Sequence, residues 1–235
     1  MAPAVATPAR SLPSLSESVT RCRACPRLVA WRERVAREKK REFRDWEYWG
    51  KPVPGFGDPA ARLLLVGLAP AAHGANRTGR MFTGDSSGDW LYEALHRFGF
   101  ASQGRSTARG DGLTLTDCYI AAAARCAPPD NKPSRAELER CRPFLEAELT
   151  LLTRLRVVVT LGRIGHDAYL RAARLADRPR FGHGVETTLS NEVILVASYH
   201  PSRQNTNTGR LTRAMWHAVF RRARALVPAE PPAGP

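Results

Sequence analysis

The residues best placed to do chemistry fall into two groups, a carboxylate with a histidine, and a set of cysteines. Residues 63–66 (LLLV) are an uninterrupted apolar run, followed by a Gly-rich loop that holds one carboxylate, Asp85, and one aromatic, Phe82. Such a run suits a strand covered on both faces, and Gly67 lets the chain turn sharply at its end. Open α/β sheets bind ligands beyond the carboxyl ends of their strands, and a loop of about 18 residues in a compact domain is functional or disordered. A carboxylate there can stabilise positive charge and orient or deprotonate a water. Asp85 also stands where a helix begins, so a capping carboxylate is the competing reading. His200 follows a second apolar run at 193–197, reaches the same predicted edge, and can donate a hydrogen bond to accumulating negative charge. The bland alternative for it is a surface histidine in a turn.

Cys22-x2-Cys25 can grip one metal centre, act as a redox dithiol, or be chance. Cys126, at a predicted strand end, and Cys141, on a predicted helix, add two distant thiols. Two close and two distant cysteines suit tetrahedral zinc or an iron–sulfur cluster, and the spacing does not choose between them. Disulfides are disfavoured in an intracellular chain. Cys118 lies within a predicted strand and reads as a small core residue.

These groups need elements to position them. Leu15, Val19 and Cys22 fall at helical spacing, and 27–49 reads as mostly helix until Pro52, Pro54, Gly55, Gly57 and Pro59 break it. A helix over 87–98 opens with Ser86 and Asp89 at capping-box spacing and carries Leu91, Leu95 and Phe98 inward. Residues 101–113 form a polar, mobile connection. The small residues of 118–124 predict a strand with something packed close against it. Ser134 and Glu137 make a capping box for a helix striped by Leu138, Cys141, Leu145 and Leu149. A strand at 157–160, a helix at 164–175, a strand at 193–197 and a helix at 208–226 complete the alternation. Four strands interleaved with helices predict a three-layer α/β/α fold, a four-stranded parallel sheet flanked by helices.

The chain of 235 residues is 43% hydrophobic, enough for a single domain, placed at 13–227. Residues 1–12 and 228–235 are Ala/Pro-rich and predicted disordered. No apolar run approaches the roughly 20 residues of a membrane span, so a soluble, cytoplasmic protein with no membrane partner is expected, nucleoid-associated if prokaryotic; a monomer is also expected. With 36 Lys and Arg against 22 Asp and Glu, the net charge of +14 favours a polyanionic partner, nucleic acid first, although a solvated basic surface also accounts for it. Neither GxGxxG nor GxxxxGK[ST] follows the first strand, which weakens a nucleotide-cofactor reading.

Three motifs then converge. GLAPAAHGANRTGRMFTGD at 67–85, RCAPPDN at 125–131 and SYHPSRQNTNTG at 198–209 resemble the family 5 (type b) uracil-DNA glycosylases, over about residues 15–225. The resemblance implies a [4Fe-4S] cluster held by Cys22, Cys25, Cys126 and Cys141, and a repair enzyme hydrolysing the N-glycosidic bond of uracil in double-stranded and single-stranded DNA to leave an abasic site. GLAPA lacks the polar water activator that better-known relatives place near Leu68, so Asp85 takes that part, with His200 donating to uracil O2. Gly67, Ala69, His73, Phe82 and Asn131 are the substrate-binding candidates. Phe82 is to stack on the extruded base, a role for which a core aromatic pinning the loop is the rival. Arg203, Gln204 and Asn205 are the DNA-binding candidates, with a solvated turn as theirs. Alanines at 121–124, where family 4 carries an Asn, imply a roomier pocket accepting hypoxanthine, xanthine and ethenocytosine. The other class of reading is a metal-stabilised nucleic-acid-binding module without catalysis.

Overall fold

A computed structural model describes residues 9–176 and 178–227. Its sheet has strands β1 (Phe56–Gly57), β2 (Leu63–Gly67), β3 (Cys118–Ala122), β4 (Val157–Leu161), β5 (Glu186–Thr188) and β6 (Ile194–Ser198), in the order β1-β3-β2-β4-β6-β5. The central four, β3, β2, β4 and β6, are parallel and in register, with Leu63 beside both Cys118 and Val157, and Val157 beside Ile194. These are the four strands that the sequence predicts. The sheet is nevertheless mixed and six-stranded, because β1 and β5 add antiparallel edges.

Neither edge strand carries an apolar signal. β1 is two residues within a Pro/Gly-rich stretch, and Gly57 pairs so closely that a Cβ there would lie 2.3 Å from the Cys118 carbonyl oxygen. β5 is Glu-Thr-Thr on a solvated edge.

Side chains alternate between the faces of the central strands with period two. Leu63, Leu65, Ile120, Val157 and Val159 face α4 (Ser86–Arg97) and α8 (Arg213–Leu226), meeting Leu91, Leu95, Trp216 and Phe220. Leu64, Val66, Tyr119, Val158 and Leu195 face α1 (Leu12–Arg21), α5 (Arg135–Leu151) and α6 (Arg163–Ala172), meeting Leu15, Val19, Leu145 and Tyr169. Helices therefore cover both faces, as parallel strands require. Gly165 lets α6 approach β2, since a Cβ on it would sit 2.5 Å from the Val66 carbonyl oxygen.

Several boundaries differ from the sequence expectation. Helix α2 (Pro26–Glu38) ends far short of residue 49: Lys39 turns left-handed at φ 54°, and a 3-10 turn, Arg41–Phe43, follows. The last helix begins at Arg213 on a Thr212 cap, after a separate short helix α7 (Arg203–Asn207). Helix α4 is capped by Asp85 itself, with no Ser86–Asp89 capping box, whereas the Ser134–Glu137 box of α5 is present. Leu12, placed in the N-terminal tail by composition, is the first residue of α1 and is buried behind its Ser11 cap. Ala9 of the same tail packs against the core on that face, while 1–8 and 228–235 lie outside the described residues.

Residues 101–113 are fastened, not loose. Asp111 takes backbone amides of Thr107, Ala108 and Leu113 and pairs with buried Arg80 at 2.7 Å.

Candidate functional site

The loop leaving β2 carries the one-turn helix α3 (Ala75–Thr78) and folds back on the strand that launches it. Gly67 ends the strand against the Phe82 ring, where a Cβ would approach Cζ to 2.9 Å. Phe82 has a left-handed backbone, φ 54°, costly for an aromatic residue. Its carbonyl is pressed onto the α carbon of Gly88 and its ring packs at the edge of the core. That ring also stacks on His200, which follows β6 two strands away, with centroids 5.9 Å apart and planes 27° from parallel. The β2 loop and the β6 loop thus meet at the carboxyl edge, where the sequence places the exits of both strands.

Asp85, three residues beyond Phe82, is half-buried. Its Oδ1 accepts the Gly88 amide at 2.9 Å, so the capping role is real. Its Oδ2 lies against Gly74, so closely that a Cβ at residue 74 would fall 2.1 Å away. Burial raises its pKa above the usual carboxylate value, while the Gly88 and Ser87 amides and, more weakly, Arg77 oppose the rise. A carboxylate used only as a cap gains nothing from such enclosure.

His200 is also partly exposed, yet burial lowers its pKa to about 4, and its imidazole is neutral at neutral pH. A neutral ring keeps one N–H to donate. The Asn205 side chain donates to the His200 carbonyl at 2.9 Å and steadies the turn. The neighbouring Arg203 reaches across to the Ser86 hydroxyl at 3.3 Å and ties α7 to the start of α4, while Gln204 stays exposed. Of the three predicted DNA-contact residues, Asn205 therefore has its amide committed within the protein.

The remaining candidates spread out. Ala69 is half-buried in the strand-exit segment, whose Leu68 carbonyl accepts from Ala124. His73 pairs with the Tyr48 hydroxyl at 3.0 Å, and burial together with nearby Lys40 and Arg77 lowers its pKa. Asn131 is exposed at φ 55° in a 3-10 turn, Pro129–Asn131, and its side chain makes no hydrogen bond among the described residues. Contacts join Phe82 to His200 and Asp85 to Gly74; among the described residues no side-chain hydrogen bond or ring contact joins Asn131 or His73 to Phe82, Asp85 or His200.

The sequence reading passed over Arg77. Its side chain is buried, donates to the carbonyls of His73 at 2.8 Å and Gly84 at 3.0 Å, and so braces the loop that ends in Asp85. Phe43 and Trp46 enclose its guanidinium, 3.8 and 4.1 Å from the ring centres. A cation amid glycines and small residues was the available signal.

The four cysteines come together. Cys22, Cys25, Cys126 and Cys141 line one opening between the start of α2, the chain after β3, and α5. Burial raises the thiol pKa of Cys25, of Cys126 to about 11 and of Cys141 to about 12, so a bound cationic centre is what would draw them as thiolates. Donors already face them: Arg32 to the Cys126 sulfur at 3.1 Å, and the Arg125 amide to the Cys141 sulfur at 3.2 Å. Buried Arg32 and Arg125 keep unpartnered N–H groups here, as the wall of an anionic group would. Among the described residues no group of three or more His, Cys, Asp or Glu closes around a single metal ion. Cys118 lies apart, fully buried in β3 on the α4 side, as predicted.

The profile of the uracil DNA glycosylase superfamily matches residues 54–224. A type-5 uracil-DNA glycosylase of Mycobacterium leprae is 52% identical over 221 residues, covering 93% of this chain and 96% of that protein. One of Thermus thermophilus is 54% identical, covering 89% and 95%. A type-4 uracil-DNA glycosylase of Pyrobaculum aerophilum is 32% identical, covering 66% and 74%.

Proposed function

Because this chain belongs to the uracil-DNA glycosylase superfamily, we infer that it is itself a uracil-DNA glycosylase, which hydrolyses the N-glycosidic bond of uracil in DNA and leaves an abasic site for base-excision repair. The observation that carries the reading beyond the family is the stack of Phe82 on neutral His200, one turn of loop from an enclosed carboxylate. Cleavage from C1′ to N1 develops positive charge on the sugar and negative charge on the departing base. A duplex hides that bond unless the nucleotide is extruded.

Asp85 faces the sugar, stabilises the cationic centre and orients the attacking water. His200 donates to uracil O2, and being uncharged it spends no proton before the base leaves. One such preorganised donor is worth about 3 kcal/mol, roughly a hundredfold in rate. Phe82 stacks on the extruded base, with Gly67 and Ala69 bringing backbone close to it. Asn131 and His73 are the remaining substrate-binding candidates, and Arg203 and Gln204 meet the strand. Alanines at 121–124 offer no side-chain hydrogen bond to a base edge. That supports a pocket that also takes hypoxanthine, xanthine and ethenocytosine, in single-stranded as well as double-stranded DNA.

Cys22, Cys25, Cys126 and Cys141 hold a [4Fe-4S] cluster. The four thiols line one opening, and the resemblance of this cysteine set to that of the family favours the cluster over a lone tetrahedral zinc. The cluster ties α2 to the Cys126 turn and α5, and the hydrolysis needs no electron from it. The protein works as a cytoplasmic monomer, and no helix among the described residues is long and apolar enough to cross a membrane.

Excision from a uracil-containing duplex, read as alkali-labile strand breaks, tests the function. Asp85→Asn is expected to lower the single-turnover rate by about 10²- to 10⁴-fold, and His200→Gln by about 10²-fold. A full rate in Asp85→Asn would remove the carboxylate from the mechanism. No scission by the wild type would favour the non-catalytic DNA-binding module.

A further inference from the structure

We infer that the outer face of Trp46, backed by the guanidinium of Arg77, is a stacking site for an unpaired base of the DNA strand beside the excised nucleotide. The inference rests on DNA being the substrate and adds a contact outside the uracil pocket. The segment between α2 and β1 is not a passive linker. Its Tyr48 hydroxyl meets His73, and the Trp49 and Gly50 amides donate to the carbonyls of Arg77 and Asn76, so the segment is laced onto the catalytic loop. Glu42 lies within electrostatic reach of both Arg77 and Arg203, which places the segment next to α7 and its bond to Ser86.

At the tip of this segment Phe43 and Trp46 stand edge to face, 6.3 Å apart. Both rings lean on Arg77, whose side chain is only 4% exposed and is fixed to two loop carbonyls. Trp46 itself is 36% exposed, one of three large apolar side chains in that condition among the described residues. A lone exposed apolar residue needs no explanation. This one is held flat against an immobile cation at the mouth of the site, so stacking on it costs little ordering. Aromatic rings with cationic support are how single strands are gripped without sequence preference.

Charge contributes little at this ledge. Residues 39–47 carry Lys39, Lys40, Arg41 and Arg44 against Glu42, Asp45 and Glu47, and Lys40 already pairs with Glu42 at 2.7 Å. Binding here must come from the ring, which separates it from the phosphate contacts of the basic surface. The two contributions respond differently to salt.

The test uses the full-length, iron-loaded protein with Trp46→Ala and Trp46→Phe. Anisotropy with an undamaged single-stranded oligonucleotide and steady-state excision from a uracil-containing one are measured over a series of salt concentrations. Trp46→Ala is expected to raise Kd and KM by about 5-fold or more, with kcat and the slope of log Kd against log salt unchanged. Trp46→Phe should restore most of the loss. Equal Kd for wild type and Trp46→Ala would overturn the ledge while leaving the glycosylase reading intact. A fall in kcat matching the rise in KM would also overturn it, by showing that the ring props the catalytic loop through Arg77. Wild-type protein that binds the oligonucleotide but never excises uracil would overturn the function and leave the ledge standing on the Kd of Trp46→Ala.

Discussion

Replacing Gly74 by alanine separates a catalytic Asp85 from a merely capping one. The new Cβ would lie 2.1 Å from Asp85 Oδ2, 2.9 Å from Cγ and 3.1 Å from Cβ. Ordinary contact begins at 3.4 Å, so the carboxylate oxygen has to retreat by 3.4 − 2.1, or 1.3 Å. The side chain is short, and its other oxygen is anchored to the Gly88 amide. It can yield only by rotating away from that amide or by dragging the loop. A misplacement of about 1 Å costs on the order of 10²-fold in rate when geometry governs the reaction. Losing the cap costs about 1 kcal/mol of stability, a few degrees in Tm. The assay is single-turnover excision at saturating enzyme, with Tm and DNA affinity alongside. The expected result is a rate lowered about 100-fold with DNA affinity unchanged. Gly110→Ala, at an exposed residue with nothing within 4 Å of the added carbon, is the control. A Gly74→Ala protein that loses the few degrees of Tm but keeps its wild-type rate would refute the reasoning and leave Asp85 a cap.

Three further outcomes follow from the same geometry. Burial raises the Asp85 pKa above the usual carboxylate range and lowers that of His200 to about 4, so log kcat/KM should fall on an acid limb above that range, and His200 should add no inflection near 6.5. A limb at about 6.5 that vanishes in His200→Gln would contradict this. Burial alone would raise Asp111, but Arg80 and three backbone amides outweigh it and hold its pKa at about 2. Its stabilisation is therefore complete above about pH 4 and lost as pH falls toward 2, and Asp111→Asn should cost on the order of 2 kcal/mol at pH 7 and progressively less in acid, read from urea midpoints. Iron analysis should show Cys126→Ser and Cys141→Ser depleted of metal and Cys118→Ala fully loaded; equal loading in all three would refute the four-thiolate assignment.

Local chemistry carried much of this molecule into plain view. The four central strands are apolar runs buried on both faces, a pattern that only a helix-covered parallel sheet satisfies, and the Ser134–Glu137 box marks the start of α5 because its hydrogen bonds close within four residues. Two close and two distant cysteines pointed to one place, and the four thiols do line one opening. The edge strands stayed hidden since β5 is polar and β1 is two residues long, paired through the single close approach of Gly57. Helix α2 stops at Glu38 although the residues beyond it are good helix formers, because Tyr48 and Trp49 must reach His73 and Arg77.

The sequence by itself determined the candidates for the chemistry: one carboxylate in the first loop, one histidine after the last central strand, four thiols. The tertiary structure decided how each is tuned. Enclosure of Asp85 against Gly74, neutrality of His200 under Phe82, and Arg77 held between Phe43 and Trp46 all depend on groups that are distant in the chain or on burial. Desolvation and contact are properties of packing in three dimensions, and no spacing along the chain encodes them.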